Sequence, residues 1–65
     1  MTEIIRHRRK TLGITQETLS DISGVNLKTI KTLEKGEGNP TLDTLRSLAD
    51  ALGLEIVLQI KSPTL

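Results

Sequence analysis

The sequence predicts a small all-α domain of four to five short helices around an aliphatic core, with one C-terminal β-strand that pairs between subunits. Three observations lead there. Short polar residues suited to capping stand just ahead of helically spaced aliphatics at Thr15, Asn26 and Thr41. Glycine closes the helical patterns at Gly13, Gly24 and Gly53. After Gly53 the aliphatic spacing changes to every second residue, the period of a strand.

In the first helix, expected to run to about Thr11, Thr2 is placed as the cap, with Glu3 near the positive end of the dipole. Ile4, Ile5 and Leu12 form its inward stripe, and the run Arg6-His7-Arg8-Arg9-Lys10 covers the remaining face as either a solvated basic surface or a set of phosphate contacts. Two helical patterns follow between Thr15 and Lys35, split by Ser23-Gly24-Val25. Each cap is preceded by an aliphatic residue that a second aliphatic matches within the helix, Ile14 with Leu19 and Val25 with Ile30, which makes two consecutive hydrophobic staples. Leu19 and Ile22 point inward from the second helix, leaving Gln16, Glu17, Ser20 and Asp21 exposed. Ile30 and Leu33 point inward from the third, whose other face shows Leu27, Lys28, Lys31, Thr32 and Lys35. An exposed leucine among lysines suits a surface that is apolar and anionic together.

Gly36-Glu37-Gly38-Asn39-Pro40 is a turn, and its lone Gly-x-Gly is no nucleotide fingerprint because no strand precedes it. Thr41 caps a fourth helix with Leu42, Leu45, Leu48, Ala49 and Leu52 inward. Leu54, Ile56, Leu58 and Ile60 then alternate with Glu55, Val57, Gln59 and Lys61. A single strand leaves a row of unpaired backbone groups, and the economical partner is a second copy across a two-fold axis. The expected organisation is therefore a helical domain over residues 1–53, a dimerisation strand over residues 54–61 built on Leu54, Ile56, Leu58 and Ile60, and a loose tail over residues 62–65.

Composition narrows the functional classes. A chain of 65 residues forms one small domain and buries only about 60% of its unfolded surface, so a second copy or partner is expected. With no cysteine, disulfides and thiolate metal sites are impossible, and one histidine builds no metal site. No apolar run exceeds the three residues Ile56, Val57 and Leu58, which argues against a membrane span or signal core and makes a cytoplasmic location the expectation. The absence of aromatic residues removes the stacking platforms used to read RNA and single strands. Residues 1–35 hold seven of the nine Lys and Arg against four acids, so the first half is the polyanion-facing half. Ser20, His7 and Asp21 do not amount to a catalytic triad, and neither an enzyme nor a cofactor is expected.

The stretch TQETLSDISGVNLKTIKTLEKGEGNPTLDTLRSLADALGL resembles the Cro/cI-type (XRE-like) helix-turn-helix family over residues 5 to about 54. The features that agree in register are Thr15-Gln16, Gly24-Val25, Thr29-Ile30, Leu33-Glu34-Lys35-Gly36 and the run from Asn39 to Leu45. The resemblance implies a lambda-repressor-like domain whose third helix enters the DNA major groove. It implies base contacts from Leu27, Lys28, Thr29 and Thr32, and phosphate contacts from Gln16, Asn26, Lys31 and Lys35. It also implies that Arg9 and Glu34 tie the first helix to the third. Leu27 stands where the family often has a polar residue, so its contact would be to a thymine methyl. The terminal strand is similar to that of HipB-like antitoxins, which dimerise through it.

The expectation is thus a homodimeric repressor that binds a palindromic operator in double-stranded DNA, and within that an antitoxin that represses its own operon and holds a toxin protein. The competing reading is a protein-interaction adaptor that uses the third-helix face, with Leu27 as anchor, to bind a partner protein.

Overall fold

The computed structural model describes residues 2–59 and contains four helices, α1 (Thr2–Thr11), α2 (Gln16–Ser23), α3 (Leu27–Glu34) and α4 (Leu42–Ala51). Three of the four start at a side chain that accepts from an orphan backbone N–H. Thr15 Oγ1 accepts from the Thr18 amide at 3.0 Å, Asn26 Oδ1 from Lys28 at 2.7 Å and Thr41 Oγ1 from Thr44 at 3.1 Å. Helix α1 begins at Thr2 itself, so Thr2 is helical and not the cap expected of it. A β-branched residue is tolerated there because no preceding turn crowds its side chain.

Three of the helices end alike. After α1 the Ile14 amide donates to the Arg9 carbonyl, after α3 the Glu37 amide to Thr32, and after α4 the Leu54 amide to Ala49. Each bond closes over a glycine of positive φ, the arrangement that satisfies the last orphan carbonyls. The tight turn between α2 and α3 is held by Ser20, half-buried where an exposed residue is expected, and by Ser23. Gly24 is left-handed with φ 75°, the Ser20 hydroxyl donates to the Val25 carbonyl at 2.6 Å, and Ser23 Oγ accepts from the Val25 amide at 3.1 Å.

The core is aliphatic, built on Ile5, Leu19, Ile30, Leu33, Leu48 and Leu52, with Ile14, Val25, Leu45, Ala51 and Leu54 packed against it. Both staples therefore bring their residues to the core. Helix α2 lies against both α3 and α4, and α1 against α3.

Four expected inward residues are instead exposed: Ile4 (59%), Leu12 (44%), Ile22 (56%) and Leu42 (59%). Ser20 and Ser23 turn inward to hold the α2–α3 turn, and this rotation carries Ile22 to the rim. Leu42 occupies the first position of α4, well before the buried Leu48, Ala49 and Leu52. In α1 the inward positions beside Ile5 are taken by Arg9, which is buried, and Arg8, which is half-buried, so Ile4 and Leu12 are displaced from that face. Arg8 and Arg9 thus leave the solvated surface on which the basic run was placed.

Among the described residues there is no strand, and residues 54–59 carry no regular secondary structure. A lone segment has no ladder to join, which is the physical reason. Leu54 packs on its own core, whereas Leu58 is 96% exposed. Ile60, Lys61 and the expected tail lie outside the described residues.

Candidate nucleic-acid interface

Helix α3 buries Ile30 and Leu33 and turns the opposite flank outward. At about 100° per residue, Lys28, Lys31, Thr32 and Lys35 all fall on the side away from that stripe. Lys28, Thr29, Lys31 and Lys35 are exposed and Thr32 is half-buried. Leu27 is half-buried too, not the fully exposed residue expected, because it lies about 60° from Ile30 on the flank of the core stripe. No acid stands on the outward face. Glu34, the single acid of α3, lies at the edge of that face, between the directions of Ile30 and Lys31.

Glu34 is fully engaged. Its Oε2 accepts from Arg9 Nε at 2.7 Å and its Oε1 from Arg9 Nη2 at 2.9 Å, while Gln16 Nε2 donates to Oε1 at 3.0 Å. Arg9 Nη1 reaches on to the Ile14 carbonyl at 2.8 Å. Three elements are thus fastened at one carboxylate: α1 through Arg9, the start of α2 through Gln16, and α3 through Glu34. Burial pushes the Glu34 carboxyl up, but hydrogen bonds from Arg9 and Gln16, with the positive charges of Arg9 and Arg6, outweigh it and hold the group below the usual carboxylate range. The bond to Glu34 in turn raises the Arg9 guanidinium against a weaker opposing effect of burial. The pairing foreseen for Arg9 and Glu34 is present, and Gln16, foreseen as a phosphate ligand, joins it.

Two grooves flank the outward face. One, of about 280 Å³, runs between α3 and the following loop and is lined by Lys28, Thr29, Thr32, Glu37, Asn39 and Pro40 among others. The loop closes on α3 so tightly that a Cβ added at Gly38, where φ is 79°, would lie 3.1 Å from Thr32 Cγ2. Thr32 therefore presents only part of its side chain. The other groove, of about 510 Å³, is lined by Arg6, Gln16, Lys31, Glu34 and Lys35. Asn26 is exposed at the start of α3, with its Oδ1 accepting in the cap.

Helix, Gly-containing turn and a second helix with an outward cationic face form a helix-turn-helix unit, and the Helix-turn-helix family profile matches residues 5–59. The chain belongs to the Cro/cI-type helix-turn-helix family. It is 45% identical over 60 residues to an HTH-type transcriptional regulator of Methanothermobacter thermautotrophicus, covering 92% of this chain and 87% of that protein. It is 39% identical over 54 residues to the cryptic phage CTXphi transcriptional repressor RstR of Vibrio cholerae, covering 83% of this chain and 48% of that protein. It is also 38% identical over 56 residues to control protein C.SmaI of Serratia marcescens, covering 86% of this chain and 67% of that protein. In this helix-turn-helix chain α2 and α3 are the two helices of the motif. Sequence reasoning did not single out Arg8, Ser20 and Ser23 as structural; Arg8 Nε donates to the Leu52 carbonyl at 2.9 Å and so closes the C-terminus of α4.

Proposed function

We propose that this protein binds double-stranded DNA in a sequence-specific manner and represses transcription as a homodimer. The observation that carries the reading is the outward face of α3, where Lys28, Lys31 and Lys35 stand exposed with no acid among them while Glu34 is occupied by Arg9 and Gln16. Such a face suits a groove edged by phosphates. In this reading Lys28 donates to guanine O6 and N7, Leu27 and Thr32 meet thymine methyls, and Thr29 stands between them. In this reading Lys31, Lys35, Gln16 and Asn26 meet the phosphates, which fix register without reading sequence. The transcriptional repressor and regulator among its relatives support the same reading.

In this reading two copies of α3 enter successive major grooves, about 34–36 Å apart, of a palindromic operator. Pairing of Leu54, Ile56, Leu58 and Ile60 with the same residues of a second copy joins the domains; the exposure of Ile56 and Leu58 in the single chain supports it. Autoregulation as a cytoplasmic antitoxin fits a domain of this size, and co-purification of the product of an adjacent gene tests it. No helix among the described residues is long and apolar enough to cross a membrane.

Selection of bound duplexes from a random library, followed by gel-shift titration, tests the main reading. Enrichment of a palindrome bound far more tightly than random duplex is the expected result. Equal affinity for selected and random duplex at moderate salt would overturn it, and a monomer in sedimentation at micromolar concentration would remove the dimer.

A further inference from the structure

The three arginines of the basic run in α1, Arg6, Arg8 and Arg9, carry the same side chain, yet the fold gives them different tasks. Arg8 is spent on the Leu52 carbonyl and Arg9 on Glu34 and the Ile14 carbonyl. Arg6 is exposed and, among the described residues, makes no hydrogen bond. Its position is nevertheless determined. It lies three residues before Arg9, so it shares the side of α1 that grips Glu34 and sits about 4.5 Å along the axis from it. Lys31 lies three residues before Glu34 and shares that residue's side of α3. The Arg9–Glu34 pair therefore brings these two cations to opposite walls of one groove, where Arg6, Lys31 and Lys35 line about 510 Å³ together with Gln16 and Glu34. The one carboxylate present is already hydrogen-bonded to Arg9 and Gln16, so Arg6, Lys31 and Lys35 give this single space an excess of positive charge.

We propose that Arg6 is a DNA-contacting residue and that the groove between α1 and α3 seats a phosphate of the duplex backbone, held by Arg6 from one side and Lys31 and Lys35 from the other. The inference rests on the DNA-binding reading above and extends it from α2 and α3 to α1. Lys31 and Lys35 are four apart on one helix, a like-charge spacing that disfavours the free protein. Arg6 adds a third cation, and a polyanion relieves all three. A guanidinium suits the purpose because its planar fork matches two phosphate oxygens at once, whereas an ammonium offers a point charge. Such a contact strengthens binding to every sequence equally and carries no preference of its own.

The test is a salt titration of duplex affinity for the full chain, comparing the unaltered protein with Arg6→Ala, Arg6→Lys, Lys31→Ala and Arg46→Ala, using one selected and one random duplex. Each phosphate contact contributes a slope of about −0.9 in log affinity against log salt, so Arg6→Ala should flatten the slope by roughly that amount per bound protomer. It should weaken both duplexes by the same factor, Lys31→Ala should act alike, and Arg6→Lys should restore most of the slope. Arg46 is exposed on α4 and serves as the control for net charge alone, with no change in slope expected. If the unaltered protein prefers its selected duplex but Arg6→Ala keeps the full slope, or Arg46→Ala flattens it equally, the α1 contact is refuted while the DNA-binding reading stands. If the unaltered protein retains no duplex, both fall.

Discussion

Arg9 and Glu34, twenty-five residues apart, meet through two parallel hydrogen bonds of 2.7 and 2.9 Å, their side chains 11% and 5% exposed. Fork-to-fork pairing of this kind fixes distance and angle together, so it sets how α3 is presented relative to α1 and α2. Gln16 completes the junction from the start of α2.

Removing one member of this pair leaves the other charge partly buried and uncompensated. Glu34→Ala and Arg9→Ala should each cost about 3–5 kcal/mol, a large share of the stability of so small a domain. The double variant Arg9→Met with Glu34→Leu should recover most of the loss, since it removes both charges at similar volume. Urea denaturation gives all three values, and additive losses in the double variant would show that the pair is not coupled.

Acid should weaken the fold through the same carboxylate. The folded-state pKa of Glu34 is lowered from an ordinary value of 4.5, so its contribution is fully present above that value and is lost as the pH falls through the folded value. Thermal midpoints recorded as the pH is lowered from about 5 should fall more steeply for the native protein than for Glu34→Gln. Parallel curves would exclude Glu34 as a source of the acid sensitivity.

Thr15→Ala and Thr41→Ala each orphan one backbone donor and should each cost about 1 kcal/mol, or roughly 4–8 °C in Tm. The two caps sit on different helices, and their effects should add.

Gly24→Ala and Gly38→Ala both force an L-residue to positive φ and should each cost roughly 1–2 kcal/mol. Only at Gly38 would the new methyl also press on Thr32, at 3.1 Å, whereas nothing lies within 4 Å at Gly24. A changed duplex preference is therefore expected of Gly38→Ala alone, measured by gel shift below the unfolding transition.

Lys28→Glu should leave the unfolding midpoint within about 0.5 kcal/mol, because the residue is exposed, while abolishing retention on duplex DNA. Retention equal to that of the native protein would favour the adaptor reading, in which a partner protein is held at Leu27.

The local rules of capping and periodicity were legible along the chain. Thr15, Asn26 and Thr41 cap as their side chains dictate, Ile14 and Val25 staple as their spacing dictates, and the positive-φ glycines stop the helices. These are interactions between residues a few positions apart, so neighbouring letters specify them. The cationic face of α3 was legible for the same reason, since helical period alone gathers Lys28, Lys31 and Lys35.

Which of several candidate residues a helix buries was a different matter. Ile4, Ile22 and Leu42 are as apolar as Ile5, Leu19 and Leu48, yet only the second three are covered, because coverage depends on which neighbouring helix lies over each turn. In the basic run of α1, the family resemblance set Arg9 apart, but charge and side-chain length are nearly the same for Arg6, Arg8 and Lys10, so sequence does not separate those three. The crossing of α1 with α3 and α4 does: it hands Arg8 to a helix end, buries Arg9 against Glu34 and leaves Arg6 facing the lysines of α3. Long-range geometry settled those assignments because each depends on a partner twenty-five or more residues away, which no local pattern encodes.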